Sequence, residues 1–187
     1  MKKKLRQIML EKRNALPEAQ RAEKSEKIIA TLFALPEFHA ARTILFYASI
    51  GSEVKTHHAI QRALSIGKRI CLPRVNRERL ELELYEVRDL GELRPGVFGI
   101  PEPIPERSVR VQPGELELVV VPGIAFTERG HRLGYGMGYY DALLRQVSCP
   151  TIALAYELQL IPAIPLGPHD VNVHKIVTEE RVIDCRK

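Results

Sequence analysis

The sequence has no tryptophan, and aromatic residues fill only 6% of its 187 positions. So few rings leave little for the base-stacking platforms of single-stranded nucleic-acid binders, and no basic–aromatic alternation replaces them. Cysteine is scarce too. Cys71, Cys149 and Cys185 are odd in number and far apart, with no Cys-x-x-Cys pair and no Cys/His cluster. That excludes a disulfide framework and a structural zinc site, and three reduced, mostly buried thiols in a cytoplasmic protein are expected. Long uncharged runs are missing. Stretches such as Gln146–Tyr156 and Leu158–Pro168 fall short of the roughly 18 apolar residues a membrane-crossing helix needs. No apolar stretch of about 7–15 residues follows the N-terminal lysines, so no secretory signal is expected.

Charge is present but unevenly placed. Lys and Arg number 28 against 23 Asp and Glu, a net charge of +5. Residues 1–30 hold nine basic side chains (Lys2, Lys3, Lys4, Arg6, Lys12, Arg13, Arg21, Lys24, Lys27) and four acidic ones (Glu11, Glu18, Glu23, Glu26). Nine minus four is the whole +5, so the rest of the chain is electrically balanced. Excess positive charge in general suits a polyanion such as nucleic acid. Confined to one terminal segment, it describes a basic element beside a neutral body.

Apolar periodicity predicts an α/β protein. Leu5, Ile8, Met9 and Leu16 share one face at about 100° per residue, predicting a basic N-terminal helix over residues 1–16. On that wheel Lys2, Arg6 and Arg13 fall within about 40° of one another, beside the apolar face. A second helix is expected from Pro17 through Phe33. Thr43–Tyr47 reads as a buried strand, Thr56 as the N-cap of a helix closed by Gly67, and Arg69–Leu72 and Leu82–Val87 as strands. Asp89–Gly114 is rich in Gly and Pro and reads as mostly loop. Leu116–Val121 is the most apolar strand. It precedes a long loop, Pro122–Gly138, and a helix from Tyr139 to about Val147. Thr151–Tyr156 and Val173–Val177 follow as strands. Apolar strands interleaved with helices predict a single α/β domain over residues 1–187. Its mostly parallel open sheet is covered by helices on both faces, a Rossmann-like three-layer architecture.

Residues 130–141 read Gly-His-Arg-Leu-Gly-Tyr-Gly-Met-Gly-Tyr-Tyr-Asp. Glycines alternate at 134, 136 and 138, between the best strand and a helix. Glycine permits positive φ and close approach of a phosphate to backbone N–H groups. A helix N-terminus after such a loop adds free donors, Arg132 adds a fixed cationic fork, and Asp141 could hold Mg²⁺ against phosphates. The spacing is not a dinucleotide fingerprint, and the Gly-Lys-Ser/Thr ending of a Walker loop is absent. By spacing alone the loop is either a tight structural turn or a phosphate cradle, and Asp141 is either a helix-start carboxylate or a metal ligand.

The run Arg132-Leu-Gly-Tyr-Gly-Met-Gly-Tyr-Tyr-Asp141 resembles the R-L-G-x-G-x-G-Y-Y-D signature of the 5-formyltetrahydrofolate cyclo-ligase family. Lys2-Lys-Lys-Leu-Arg6 resembles the family's K-x-x-x-R, and Ser52-Glu-Val-Lys-Thr56 its E-[IV]-x-T segment. Lys68–Pro73, Gly99–Pro103, Val121–Phe126, His169-Asp170 and Val177–Glu179 are similar in the family's order, so the likeness spans nearly the whole chain. It implies an ATP- and Mg²⁺-dependent enzyme that closes 5-formyltetrahydrofolate to 5,10-methenyltetrahydrofolate, releasing ADP and phosphate. By resemblance Lys2, Arg6 and Arg132 act on the ATP phosphates, joined by Leu133, Gly134, Tyr135, Gly136, Met137, Gly138, Tyr139 and Tyr140. Asp141 binds Mg²⁺, Glu53 binds the folate, and Tyr135 through Tyr139 border it. Arg13 joins the phosphate set from the helical stripe alone.

Phe98 stands where the family often has Trp, and a phenyl ring can still stack on a pterin. It is placed in the folate site with Tyr47, which ends a strand at the edge where α/β sheets bind ligands; Phe46 beside it is a core or a site residue. Met137 replaces a frequent Lys or Gly. His174 replaces a frequent Asp and is assigned no metal role. His57 and His58 point about 100° apart on a helix and are read as capping or surface residues. The basic face of Arg21, Lys24 and Lys27 is read as solvated. The partners expected are small molecules, with neither nucleic acid nor membrane, and the protein is expected to be a monomer. Two other functions fit parts of the pattern: a sugar-phosphate isomerase or deaminase needing no ATP, and a nucleic-acid binder using the N-terminal helix.

Overall fold

Runs of apolar residues uninterrupted by charge make strands that can be buried on both faces, and such strands pair in parallel under covering helices. A computed structural model describes residues 1–187 and shows that arrangement. Helices Lys2–Ala15 (α1), Glu18–Ala34 (α2) and Pro36–Ala40 (α3) lead to the strand Thr43–Leu45 (β1) and the helix His57–Ser65 (α4). Arg69–Asn76 (β2) and Glu81–Val87 (β3) follow, then Arg94–Pro95 (β4), Pro101–Glu102 (β5) and Val109–Val111 (β6). Leu118–Val121 (β7) leads to Ala125–Phe126 (β8) and Arg132–Leu133 (β9). Tyr139–Leu144 (α5), Thr151–Leu154 (β10), Lys175–Val177 (β11) and Val182–Asp184 (β12) complete the chain.

Eight strands form one sheet in the order β12-β11-β10-β7-β1-β2-β3-β6. The central pairings β2/β1, β1/β7, β7/β10 and β10/β11 are parallel. Both edges are antiparallel, through β2/β3/β6 and β11/β12. β1, β7 and β10 are buried at every position. One face packs Ile28, Leu32, Phe38 and Ile60 of α2–α4 onto Ile44, Ile70, Val120 and Ile152. The other packs Leu143 and Leu144 of α5 with Val173 onto Leu45, Val119, Val121 and Ala153. No helix is long and apolar enough to cross a membrane.

Several boundaries differ from the sequence reading. The second helix ends at Ala34, as expected, but Pro17 is its N-cap rather than its first residue, and Pro36 opens a separate short helix. Thr56 is the N-cap residue of α4, but its side chain makes no capping bond; its Oγ1 donates to the Tyr47 carbonyl and accepts from Ser49 N–H at 3.1 Å, tying the loop after β1 to itself. Gly67 does close α4, at φ 86°. The Gly/Pro-rich stretch 89–114 is not mere loop: β4 pairs with β5, and β6 extends the main sheet. Likewise the stretch 122–138 contains the β8/β9 hairpin, so Arg132 sits on a strand. α5 is only six residues long rather than running to Val147. α1 packs against that hairpin rather than the main sheet, with Met9 against Ile124, Ala125, Leu133 and Ile164.

Candidate active site

From β1 the chain moves to β2 on one side, and from β7 to β10 on the other. A parallel sheet opens a crevice where neighbouring strands diverge in this way, beyond their carboxyl ends. The segments leaving β1 and β7 carry Tyr47, Glu53 and the glycine loop. They wall a cleft of about 680 Å³. Lys2, Arg6, Tyr47, Glu53, Phe98 and the unbroken run Arg132–Asp141 all line it.

One part of the cleft is cationic. Arg6 Nε donates to the Gly134 carbonyl at 2.7 Å, which clamps α1 onto the glycine loop. Gly136 adopts φ +99°, and a Cβ there would stand 3.3 Å from the Arg6 guanidinium carbon. At Gly134 a Cβ would lie 2.8 Å from Arg132 Nη1. Both glycines therefore let cationic side chains close on the loop backbone. Lys2 Nζ lies 3.0 Å from Asp170 Oδ2.

Arg132 is 5% exposed; its Nη1 donates to the Pro122 carbonyl at 3.1 Å, its Nη2 lies 3.8 Å from Asp141 Oδ1, and its guanidinium carbon stands 5.5 Å from the centre of the Tyr140 ring. Its Nε is buried without a partner. Burial pushes the guanidinium below its usual range, and Asp141 opposes that. Asp141 Oδ1 also accepts from Val171 N–H at 3.2 Å, and the side chain keeps 19% exposure. For Asp170, burial raises the carboxyl, but Gly167 N–H and Lys2 outweigh it and hold the group below its usual range.

The other part is apolar with a single carboxylate. Pro73, Val75, Leu82 and Ile100 contribute apolar wall, and Phe98 stands at φ 61° with 59% of its surface exposed. Glu53 is 7% exposed. Its Oε1 accepts from Ile50 N–H at 2.8 Å and its Oε2 from the Tyr135 hydroxyl at 3.0 Å. Burial raises its carboxyl above the usual range, against the pull of Ile50 N–H, Arg13 and Tyr135. Burial and the Glu53 charge push the Tyr135 phenol up to about 12. A buried carboxylate fixed by two donors presents its remaining lone pairs in one orientation, suited to a ligand's paired N–H edge.

Arg13 corrects the helical stripe. It does not stand with Lys2 and Arg6 but is buried behind Tyr135, bound to Ser52, Gly123 and the Tyr135 hydroxyl. A wheel reports direction around a helix, not distance along it. Phe46 belongs to the core, whereas Tyr47 lines the cleft and donates to the Val54 carbonyl at 3.0 Å. His174 turns its Nδ1 to Thr151 N–H at 3.1 Å, and His57 Nε2 lies 3.0 Å from the Ser49 carbonyl. Lys24 is not simply solvated, since it pairs with the buried Glu179 at 3.0 Å. Glu102, Arg145 and Asp170 line the cleft and were not singled out from the sequence. Glu102 and Asp170 lie in segments that resemble the family but were given no role, and nothing local marks Arg145; all three reach the cleft by tertiary packing.

An α/β sheet with a cationic glycine loop at its switch point faces a fixed carboxylate across one cleft. The profile of the 5-formyltetrahydrofolate cyclo-ligase family matches residues 1–179, and the chain belongs to that family. A 5-formyltetrahydrofolate cyclo-ligase of Mycolicibacterium smegmatis is 31% identical over 97% of this chain and 95% of its own. The Mus musculus protein of that name is 28% identical over 96% and 94%. Among solved structures, the 5,10-methenyltetrahydrofolate synthetase of Aquifex aeolicus is 37% identical, with a TM-score of 0.89 over 100% of this chain and 93% of that one. That of Mycoplasma pneumoniae is 25% identical, with a TM-score of 0.78 over 95% and 98%.

Proposed function

We propose that the protein is an ATP-dependent cyclo-ligase that converts 5-formyltetrahydrofolate to 5,10-methenyltetrahydrofolate, releasing ADP and phosphate. One observation carries this reading: a single cleft joins the cationic glycine loop to the fixed Glu53 carboxylate. In the reaction the formyl oxygen attacks the γ-phosphorus and ADP leaves. N10 then attacks the phosphorylated formyl carbon and closes the ring, and loss of the N10 proton and of phosphate leaves the methenyl product. Phosphoryl transfer of this kind asks the protein for alignment and charge stabilisation rather than a nucleophile of its own. Lys2, Arg6 and the backbone of Gly134–Gly138 hold the phosphate chain. Arg132, 3.8 Å from Asp141 through Nη2, helps aim that carboxylate into the cleft. Glu53 grips the pterin edge, with Tyr47, Tyr135 and Phe98 against its face.

Mg²⁺ fits the donors present. Such ions are commonly held by one or two carboxylates plus phosphate oxygens, not by a closed protein cage. Asp141 is partly exposed in the cleft with Asp170 nearby along the same lining, and no cluster of three His, Cys, Asp or Glu side chains exists. Asp141 would hold the ion, which when bound neutralises developing phosphate charge. The enzyme is further proposed to act as one domain, as a monomer, in the cytoplasm. The test is spectroscopic. Pure protein with Mg²⁺, ATP and 5-formyltetrahydrofolate should give an ATP-dependent rise in near-ultraviolet absorbance from the methenyl product. No rise would refute the reading.

A nucleic-acid role finds no support in the fold. Lys2, Arg6 and Arg13 turn inward to Asp170, Gly134 and Tyr135 rather than forming an exposed basic face.

A further inference from the structure

Arg13 is a charged side chain with 3% exposure, and it does not line the cleft. Its Nε donates to Ser52 Oγ at 2.8 Å, Nη1 to the Gly123 carbonyl at 3.3 Å and Nη2 to the Tyr135 hydroxyl at 3.0 Å. Two of these contacts are one step from Glu53. Ser52 precedes it in the chain and donates onward to Asn14 Oδ1. The Tyr135 hydroxyl, which accepts from Arg13, donates to Glu53 Oε2 at 3.0 Å. A cation on the acceptor side of a phenol polarises the O–H, so its hydrogen bond to the carboxylate strengthens. The same contact stops the ring of Tyr135, an otherwise half-exposed loop residue, from turning into solvent. Support of the fold alone would be met by carbonyls such as that of Gly123.

We propose that Arg13 is a positioning residue for the folate subsite, fixing the Tyr135 hydroxyl and through it the Glu53 carboxylate without touching the ligand. The proposal rests on the cyclo-ligase reading above. Around Glu53 stand Arg13 from α1, Tyr47 from the segment leaving β1, Tyr135 from the glycine loop and Tyr140 from α5. The Tyr156 hydroxyl donates to the Glu53 carbonyl at 3.3 Å. Arg13 supplies the positive charge in this set; the others are neutral phenols. Burial favours protonated Glu53, and Arg13 resists that. Neutralising Arg13 therefore moves protonation of Glu53 to higher pH.

The experiment compares full-length wild type, Arg13→Gln and Arg13→Lys. It reads KM for each substrate, and ATP-free equilibrium binding of 5-formyltetrahydrofolate against pH. Losing a hydrogen bond to a charged group is expected to raise the formylfolate KM of Arg13→Gln about tenfold or more. Its ATP KM should stay within about twofold, because the phosphate donors are untouched, and the acid limb of folate binding should move to higher pH. Arg13→Lys restores the charge but not the three-way fork, so its acid limb returns toward wild type while its KM stays raised. Equal rises in both KM values with an unmoved acid limb would show a merely structural role and overturn the proposal. If Arg13→Gln does not fold, Tyr135→Phe cuts the same link from the other side. A wild-type formylfolate KM and pH profile in that variant would overturn it as well. Wild-type protein that neither binds nor cyclises 5-formyltetrahydrofolate would instead refute the cyclo-ligase reading.

Discussion

Replacing Asp141 by Asn separates a metal ligand from a structural carboxylate. Asparagine keeps an oxygen for Val171 N–H, so the 3.2 Å hydrogen bond can survive. What disappears is the charge 3.8 Å from Arg132 Nη2. At an effective dielectric of about 20, two unit charges about 4 Å apart attract by ~4 kcal/mol. Asp141 is partly solvated, which lowers its share, yet Arg132 is left buried with less compensation. A stability loss of about 2–3 kcal/mol follows. Against a typical total of about 5–15 kcal/mol, that leaves all but a few per cent of the protein folded.

Unfolding therefore accounts for almost none of any activity change at 25 °C. Loss of even an outer-sphere partner of a metal commonly costs about 10–100-fold, so loss of a direct ligand should lower kcat/KM by about 100-fold or more. The Mg²⁺ concentration for half-maximal rate should rise with it. Urea denaturation gives the first quantity and the near-ultraviolet cyclisation assay the second. A rate loss under tenfold, or one that tracks the unfolded fraction, would refute the assignment of Asp141.

Gly136→Ala places a Cβ at φ +99° and 3.3 Å from the Arg6 guanidinium; it should cost about 1–2 kcal/mol in stability and raise the ATP KM more than the folate KM. Phe98→Ala removes a ring that is 59% exposed, so its melting temperature should hold while the formylfolate KM rises about threefold to tenfold from lost stacking. Glu53→Gln should abolish most folate binding yet stabilise the apoprotein at neutral pH. Burial raises the Glu53 carboxyl in the fold, so its contribution favours folding below the unfolded value and is lost as pH rises through the folded one. The melting-temperature gain of the variant over wild type should accordingly shrink as pH falls toward that of an ordinary carboxyl. A gain that grows on acidification would contradict the assignment.

The parts of this protein legible in its sequence are those where one residue type has one physical use. Uncharged strands such as Val119-Val120-Val121 announce a buried parallel sheet, and three alternating glycines beside Arg132 announce a backbone that something must approach. The antiparallel margins were not legible. β6 and β12 are short edge strands with mixed polarity, and their pairing depends on neighbours far along the chain. The β8/β9 hairpin was hidden for a related reason, since only two residue pairs hold it. In the cleft, Glu53 and Asp141 could be placed through motifs. Asp170 and Glu102 lay in similar segments without an assigned role, because the first is fixed by Lys2 across 168 residues and the second by Val75 N–H.

The N-terminal charge shows the same division. Of the basic residues on α1, Lys3, Lys4 and Lys12 are exposed, whereas Lys2 and Arg6 are half-buried and Arg13 is fully buried. The inward three lie on one stripe, as periodicity predicts, but they do three different things. Eleven residues separate Lys2 from Arg13, which at 1.5 Å per residue is about 16 Å along the helix axis. Under the proposed function, that span reaches from the triphosphate to the carboxylate proposed to meet the pterin. α1 cannot slide along its axis to suit one ligand without disturbing the other end, because Met9 is locked against Ile124 and Leu133 midway. A short amphipathic helix, weak as an isolated structure, is thereby made into a ruler between the two halves of the cleft. Its charge is placed for distance rather than for attraction to a polymer.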